Sequence, residues 1–314
     1  MPTAAIPRVD PLNDGAHIAV VGAGLMGHGI AQVFAHAGHR VSIYDPVPAM
    51  LATVDERIRR NLADLGEDPE AARRVQTHST IAAAVTGAAF VFEAGPENLA
   101  VKREIFAAIE AAATPTAILA SNTSVIPITQ IMAGLARPGR ALGTHWWNPA
   151  PLVPLVEVIK TPSTTAAAVA SMTTLLRDAG KTPVTVEKDV PGFVGNRLQH
   201  ALWREAIALV ANGVCDAATV DTVVKASFGR RLAVLGPLEN ADLVGTDLTL
   251  AIHETVLADL DRTPGPSPYL RELVAAGKLG MKSGEGFTRW SPEAQAQLRR
   301  RVTEYLKSLD AQGI

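Results

Sequence analysis

Cysteine is almost missing from this chain of 314 residues, where Cys215 stands alone. One thiol forms no internal disulfide and no cysteine-based metal cluster, which excludes disulfide-stapled secreted scaffolds and points to a reducing, cytoplasmic compartment. Aromatic residues are scarce at 4%, so a core must come from the Ala, Val, Leu and Ile within the 47% hydrophobic content. Excess charge is lacking too: 29 Lys and Arg face 31 Asp and Glu, and a net of −2 leaves no basic footprint for nucleic acid or a membrane surface. No apolar run approaches the ~20 residues of a membrane span. The opening segment, with Pro2, Pro7 and Pro11, reads neither as a signal peptide nor as a transit peptide, and is expected to form a loose arm over residues 1–15.

What is present alternates between two periods. Short apolar runs at His17–Gly22, Arg40–Asp45, Ala89–Ala94, Thr116–Ser121, Arg140–His145, Leu152–Ile159 and Thr182–Val186 suit buried strands. Amphipathic helical patterns lie between several of them, at Leu25–Ala37, Met50–Leu65, Asn98–Ala112 and Thr164–Ala179. This alternation predicts an α/β domain with a mostly parallel sheet covered on both faces, spanning 16–188. Beyond it only helical stretches follow, about Pro191–Ala211, Asp216–Lys225, Leu248–Leu260 and Tyr269–Ala276, so residues 189–314 read as an all-helical second domain. The boundary falls near Glu187–Val190, with Glu187-Lys188-Asp189 read as a solvated hinge.

The first strand runs into Val20-Val21-Gly22-Ala23-Gly24-Leu25-Met26-Gly27 and then a helix. In a strand–loop–helix setting this GxGxxG loop is a dinucleotide fingerprint: Gly22 for the turn, Gly24 for approach of a pyrophosphate, Gly27 for helix packing, with Leu25 and Met26 opening the helix. Asp45 ends the second strand about 20 residues beyond Gly24, the spacing of the ribose-binding acid, and a carboxylate there favours NAD over NADP. Arg40 and Arg57 are the nearest cations that oppose that choice. The competing reading is a turn-forming glycine cluster with Asp45 as a strand-end cap.

Polar groups recur at later element ends, where open α/β sheets bind ligands. His145 follows an apolar strand, and an imidazole is the side chain best tuned to take a proton near neutral pH. Glu157 sits inside another apolar strand, an expensive place for a charge without a partner, and a carboxylate is what orients a basic imidazole. The remaining histidines, His17, His28, His36, His39, His78, His200 and His253, lack such a setting and read as structural or exposed.

With Pro96-Glu97-Asn98-Leu99 and Lys102, Ser121–Ser124, His145–Pro149, Glu157, Pro191–Arg197 and Lys282–Gly286, the chain resembles the NAD-dependent L-3-hydroxyacyl-CoA dehydrogenases and their relatives acting on free 3-hydroxy acids. The resemblance implies a Rossmann-like N-terminal domain, an oxidoreductase acting on CH–OH, a place in fatty-acid metabolism, and a homodimer. It makes His145 the general acid/base, Glu157 its orienting partner, and Ser124 and Asn196 the groups on the reacting oxygen. Glu97, Lys102, Ser124 and Asn148 would touch the ribose and nicotinamide side of NAD, and Lys282 would reach the cofactor from the second domain. No metal is expected.

Two departures bear on the substrate. Where acyl-CoA members carry two Phe, this chain has Trp146-Trp147, of which Trp147 is a candidate for lining the site. The helix that bears CoA-phosphate lysines in those members reads Asp55-Glu56-Arg57-Ile58-Arg59-Arg60-Asn61, with arginines that either bind phosphate or form an exposed face. Near Ser227-Phe228-Gly229, Arg230 and Arg231 resemble members acting on free carboxylates such as carnitine, a sugar acid or a pyridine carboxylate. They read equally as a carboxylate clamp or a solvated turn. A small-molecule substrate is therefore expected, either a 3-hydroxyacyl-CoA or a free hydroxy or aldehyde carboxylate. The rival of another class is a catalytically silent NAD-binding structural protein.

Overall fold

The computed structural model describes residues 15–310, so the expected arm lies, but for its last residue, outside the described residues. The chain separates into two compact units, Met1–Arg197 and Leu198–Ile314.

The first unit holds one sheet of eight strands: β1 (His17–Val21), β2 (Arg40–Tyr44), β3 (Val75–His78), β4 (Phe90–Glu93), β5 (Ile118–Ser121), β6 (Ala141–Trp146), β7 (Leu155–Ile159) and β8 (Thr182–Val186). They lie in the order β3-β2-β1-β4-β5-β6-β7-β8. Neighbours pair parallel except β6 and β7. The link between those two, residues 147–154, carries no helix and is too short for a parallel crossover, so the chain turns back on itself. Both faces are buried. Ile18 and Val20 of β1 pack with Ile30, Phe34 and Ile58, while Ala19 and Val21 face the other way onto Phe106 and Ile109. That alternation is the strand period of two with a helix layer on each side, a Rossmann-like arrangement.

Several expectations shift. β3 was not legible, because its residues Val75-Gln76-Thr77-His78 form a half-exposed edge with no apolar run. The single helix expected over Met50–Leu65 is two, Pro48–Ala52 and Val54–Leu65. The break falls at Thr53, whose hydroxyl bonds back to Met50 O at 3.2 Å while Arg57 takes the same carbonyl at 2.9 Å. The helix expected from Pro191 starts at Gly195, and the first compact unit includes residues up to Arg197. Phe193 is fully buried in the core, and the Val194 and Gly195 N–H groups bond Glu157, which ties this segment to the sheet. Asp189 is no free hinge residue either: its Oδ2 accepts from the Thr129 N–H at 2.6 Å and the Thr129 hydroxyl at 2.7 Å.

Apart from isolated bridges at Gly280, Glu285 and Arg289, the second unit is helical among the described residues. Helices Pro237–Val244 and Pro292–Asp310 join those expected, and Thr246–Val256 replaces Leu248–Leu260. Among its described residues only Leu273 is buried, while Trp203, Leu238, Leu243 and Leu250 are exposed. No described helix is long and apolar enough to cross a membrane.

Candidate active site

The antiparallel pairing of β6 and β7 sets His145 directly opposite Glu157. Cross-strand neighbours share a face, so the register itself brings the imidazole and the carboxylate together. His145 Nδ1 lies 2.7 Å from Glu157 Oε2, and the two side chains are only 4% and 1% exposed. Glu157 Oε1 accepts the N–H groups of Val194 at 2.9 Å and Gly195 at 3.1 Å. Burial pushes the Glu157 carboxyl up, but the bond to His145 and the two backbone donors outweigh it and hold the group below the usual carboxylate range. An ionised Glu157 keeps the proton of the neutral imidazole on Nδ1, leaving Nε2 as the free base.

The helix that begins at Gly195 carries Asn196 in its first turn, and Asn196 Nδ2 donates to Ser124 O at 2.9 Å. Ser124 follows β5, whose end is held by a buried polar network. Glu97 Oε1 accepts from the Thr123 hydroxyl at 2.6 Å and from the Ser124 and Val125 N–H groups, each at 3.1 Å. Burial raises the Glu97 carboxyl, but Thr123, Val125, Lys102 and Ser124 together hold it low. Lys102, expected beside the cofactor ribose, is fully buried: its Nζ binds Glu93 at 2.8 and 3.0 Å and stands 3.7 Å from Glu97 Oε2. Ser121 Oγ donates to Glu93 at 2.6 Å. Sequence reasoning missed Glu93, although the signal that found Glu157, an acid inside an apolar strand, was there.

At the same C-terminal edge of the sheet, directly after β1, Gly22 has φ +111° and Gly27 lies so close to it that a Cβ would meet Gly22 O at 1.8 Å. A Cβ at Gly24 would meet nothing within 4 Å, so the loop offers an open cradle at the start of the helix Leu25–His36. Asp45 braces the loop, accepting from the Ala23 N–H at 2.8 Å and the Val47 N–H at 2.9 Å. Arg57 braces it from the opposite side, donating to Ala23 O at 3.0 Å and Met50 O at 2.9 Å. This cation is spent on backbone carbonyls and is not offered to a 2′-phosphate. His28 joins the brace, with Nδ1 2.7 Å from Gly24 O. Burial, opposed by that carbonyl and reinforced by Arg57, holds its pKa down.

Trp146 is buried against Phe34 and Phe92, whereas Trp147 is half-buried with its ring centre 5.2 Å from that of His145. Asn148 is exposed beside it. Lys282, Arg230 and Arg231 are exposed residues of the second unit, Arg230 closing the short turn Phe228–Arg230. Among the described residues no group of three or more His, Cys, Asp or Glu could hold a metal ion.

A sheet of this order with an NAD-type loop and a buried His–Glu pair has counterparts. The family model for the 3-hydroxyacyl-CoA dehydrogenase NAD-binding domain matches residues 17–190, and that for the C-terminal domain matches 192–290. The chain belongs to the 3-hydroxyacyl-CoA dehydrogenase family. A 5-formyl-3-hydroxy-2-methylpyridine 4-carboxylate 5-dehydrogenase of Mesorhizobium japonicum is 37% identical over 292 residues, covering 90% of this chain and 93% of the relative. A probable 3-hydroxybutyryl-CoA dehydrogenase of Bacillus subtilis is 40% identical over 281 residues, covering 86% and 96%. Among solved structures, a 5-formyl-3-hydroxy-2-methylpyridine 4-carboxylic acid 5-dehydrogenase described as an NAD+-dependent dismutase superposes with a TM-score of 0.88 at 36% identity, over 94% of this chain and 97% of that one. As a 3-hydroxyacyl-CoA dehydrogenase family member the chain is an oxidoreductase acting on CH–OH with NAD as cofactor, and the open Gly24 cradle with Asp45 behind it fits that dinucleotide.

Proposed function

We propose that the protein oxidises the hydroxyl at C3 of a 3-hydroxyacyl compound to the ketone and runs the reverse reduction. The observation that carries this reading is the buried His145–Glu157 pair at the end of β6 in an NAD-binding sheet. NAD, when bound, accepts the hydride from the carbinol carbon. His145 Nε2 takes the hydroxyl proton, and the Glu157 carboxylate stabilises the imidazolium that results. Ser124 and Asn196 hydrogen-bond the reacting oxygen. Asp45, Glu97 and Asn148 hold the cofactor's riboses and nicotinamide side, and Lys102 acts through Glu97.

A second reading, a free hydroxy or aldehyde carboxylate as substrate, gains support from the arginines of the helix Val54–Leu65. Arg57 is bound to backbone carbonyls and Arg59 is paired with Asp55 and Glu70 at 2.8 and 2.7 Å, so neither stands free to meet a CoA phosphate. Arg230 or Arg231 would then meet the carboxylate. NADH formation with 3-hydroxybutyryl-CoA against free 3-hydroxy acids separates the two readings. Absence of NADH with every substrate while NAD still binds would instead support a silent NAD-binding protein.

The protein is also proposed to work as a homodimer in the cytoplasm. A helical unit with one buried residue lacks a core of its own, and a second copy supplies matching apolar helices. Light scattering on the purified chain giving a monomer would overturn the dimer.

A further inference from the structure

The turn between β6 and β7, residues 147–154, carries Trp147 and Asn148 out from the strand that holds His145. Within it the Leu152 and Val153 N–H groups both bond Pro149 O, at 3.1 and 3.0 Å. The carbonyls of Ala150, Pro151 and Val153 turn instead to one side chain. Lys181 Nζ donates to them at 2.6, 3.2 and 3.2 Å. An ammonium has three protons, so a single group serves all three acceptors. Lys181 stands just before β8 and is only 8% exposed. The next N–H, of Thr182, bonds Pro154 O at 2.9 Å and fixes the far end of the turn. Nζ also lies 5.9 Å from the ring centre of Trp146, the last residue of β6. The turn packs on the helix Leu25–His36 that opens at the dinucleotide loop: a Cβ on Gly29 would meet Ala150 Cβ at 3.3 Å and Pro151 Cδ at 3.5 Å. Burying an ammonium is costly, and an apolar side chain would fill the space without that penalty. What the cation adds is one fixed path for an irregular segment beside the site.

We propose that Lys181 is a positioning residue: by gathering the three carbonyls it sets the turn so that Asn148 meets the nicotinamide side of NAD. The inference rests on the proposed function in one respect, the place of Asn148 at the cofactor. Lys181 acts through the turn and not by contact. Asn148 is two residues from the first of the gathered carbonyls, so freeing that carbonyl frees the path of the chain at Asn148. Small displacements of a positioning group are felt strongly in the geometry it imposes on a bound molecule.

NADH binding, followed by its fluorescence, needs no turnover and is measured at a temperature where circular dichroism shows each variant folded. K181M is expected to weaken NADH binding about 10-fold, and N148A by a similar factor. The double variant K181M/N148A is expected to bind no more weakly than N148A, because both changes remove the same contact. Arg140 is the control, a buried cation that donates to Thr114 O and Ala117 O before the opposite end of β6. R140M should lose stability and keep NADH affinity. Wild-type affinity in K181M, additive losses in the double variant, or equal weakening by R140M overturns the inference. If K181M does not fold, the same cycle is run with K181Q, which keeps two donors. An N148A protein that binds NADH like wild type overturns the place of Asn148 at the cofactor, and the inference with it. Non-additive losses in a protein that oxidises no 3-hydroxy acid keep the inference and overturn the proposed reaction.

Discussion

Replacing Glu157 with Gln exchanges one oxygen for an NH2 group and asks the whole site to rearrange. The carboxylate accepts three donors, His145 Nδ1 on one oxygen and the Val194 and Gly195 N–H groups on the other. A glutamine amide has one acceptor oxygen and a donating NH2 group. If the NH2 faces the backbone, two buried N–H groups lose their acceptor at about 1–3 kcal/mol each. If it faces His145, only the imidazole must adapt, by moving its proton from Nδ1 to Nε2. The second arrangement is the cheaper one, and it puts a proton on the nitrogen that has to accept one. The expected result is a fall in kcat of about 10²–10⁴-fold, with stability lowered by only about 1–3 kcal/mol and NAD affinity kept. Oxidation of a 3-hydroxy substrate followed by NADH absorbance reads the first quantity. Urea titration and cofactor fluorescence read the other two. A Glu157→Gln protein with kcat within a few-fold of wild type would refute the tautomer argument.

Three further outcomes are expected. Gly195→Ala puts a methyl 2.4 Å from Trp147 Cζ2 and 3.3 Å from Glu157 Oε2, so it should cost about 1–3 kcal/mol and lower kcat, and an unchanged melting temperature would speak against the packing described. Lys102→Met leaves Glu93 as a buried unpaired acid and should cost about 3–5 kcal/mol in denaturant titration, with Glu93→Gln added to Lys102→Met restoring much of it; additive losses in the double variant would contradict the pairing. The Glu157 and Glu97 carboxyls are held below their ordinary pKa in the folded protein, so the unfolded chain binds more protons in mild acid. Stability should be complete above the unfolded carboxylate range near pH 4.5 and be lost as pH falls below it; a Glu157→Gln chain with the same acid profile as wild type would remove Glu157 from that account.

Where one periodicity dominates, the fold was legible from sequence. The apolar strands around Ile18, Val91, Leu119 and Val158 and the loop at Gly22 stand out because both faces of a parallel sheet must be buried. β3 escaped because an edge strand needs no apolar run. The break at Thr53 escaped because it depends on Arg57, four residues on in sequence, reaching back across the turn. His145 and Glu157 were legible as chemistry, but their pairing follows from the antiparallel register of β6 and β7, which alternation alone does not give. The Glu93–Lys102 pair was hidden for a similar reason: a lysine within an amphipathic helix reads as surface until the strand acid beneath it is known. The bonds from Val194 and Gly195 to Glu157 tie the segment after β8 to the sheet.

The central claim is that His145 Nε2 is the proton acceptor for alcohol oxidation. His145→Gln, measured for kcat with the best substrate of the panel and for NAD dissociation by fluorescence, tests it most directly. The account predicts kcat reduced by at least about 10²-fold with NAD affinity nearly unchanged. A variant that keeps more than about a tenth of wild-type kcat contradicts it.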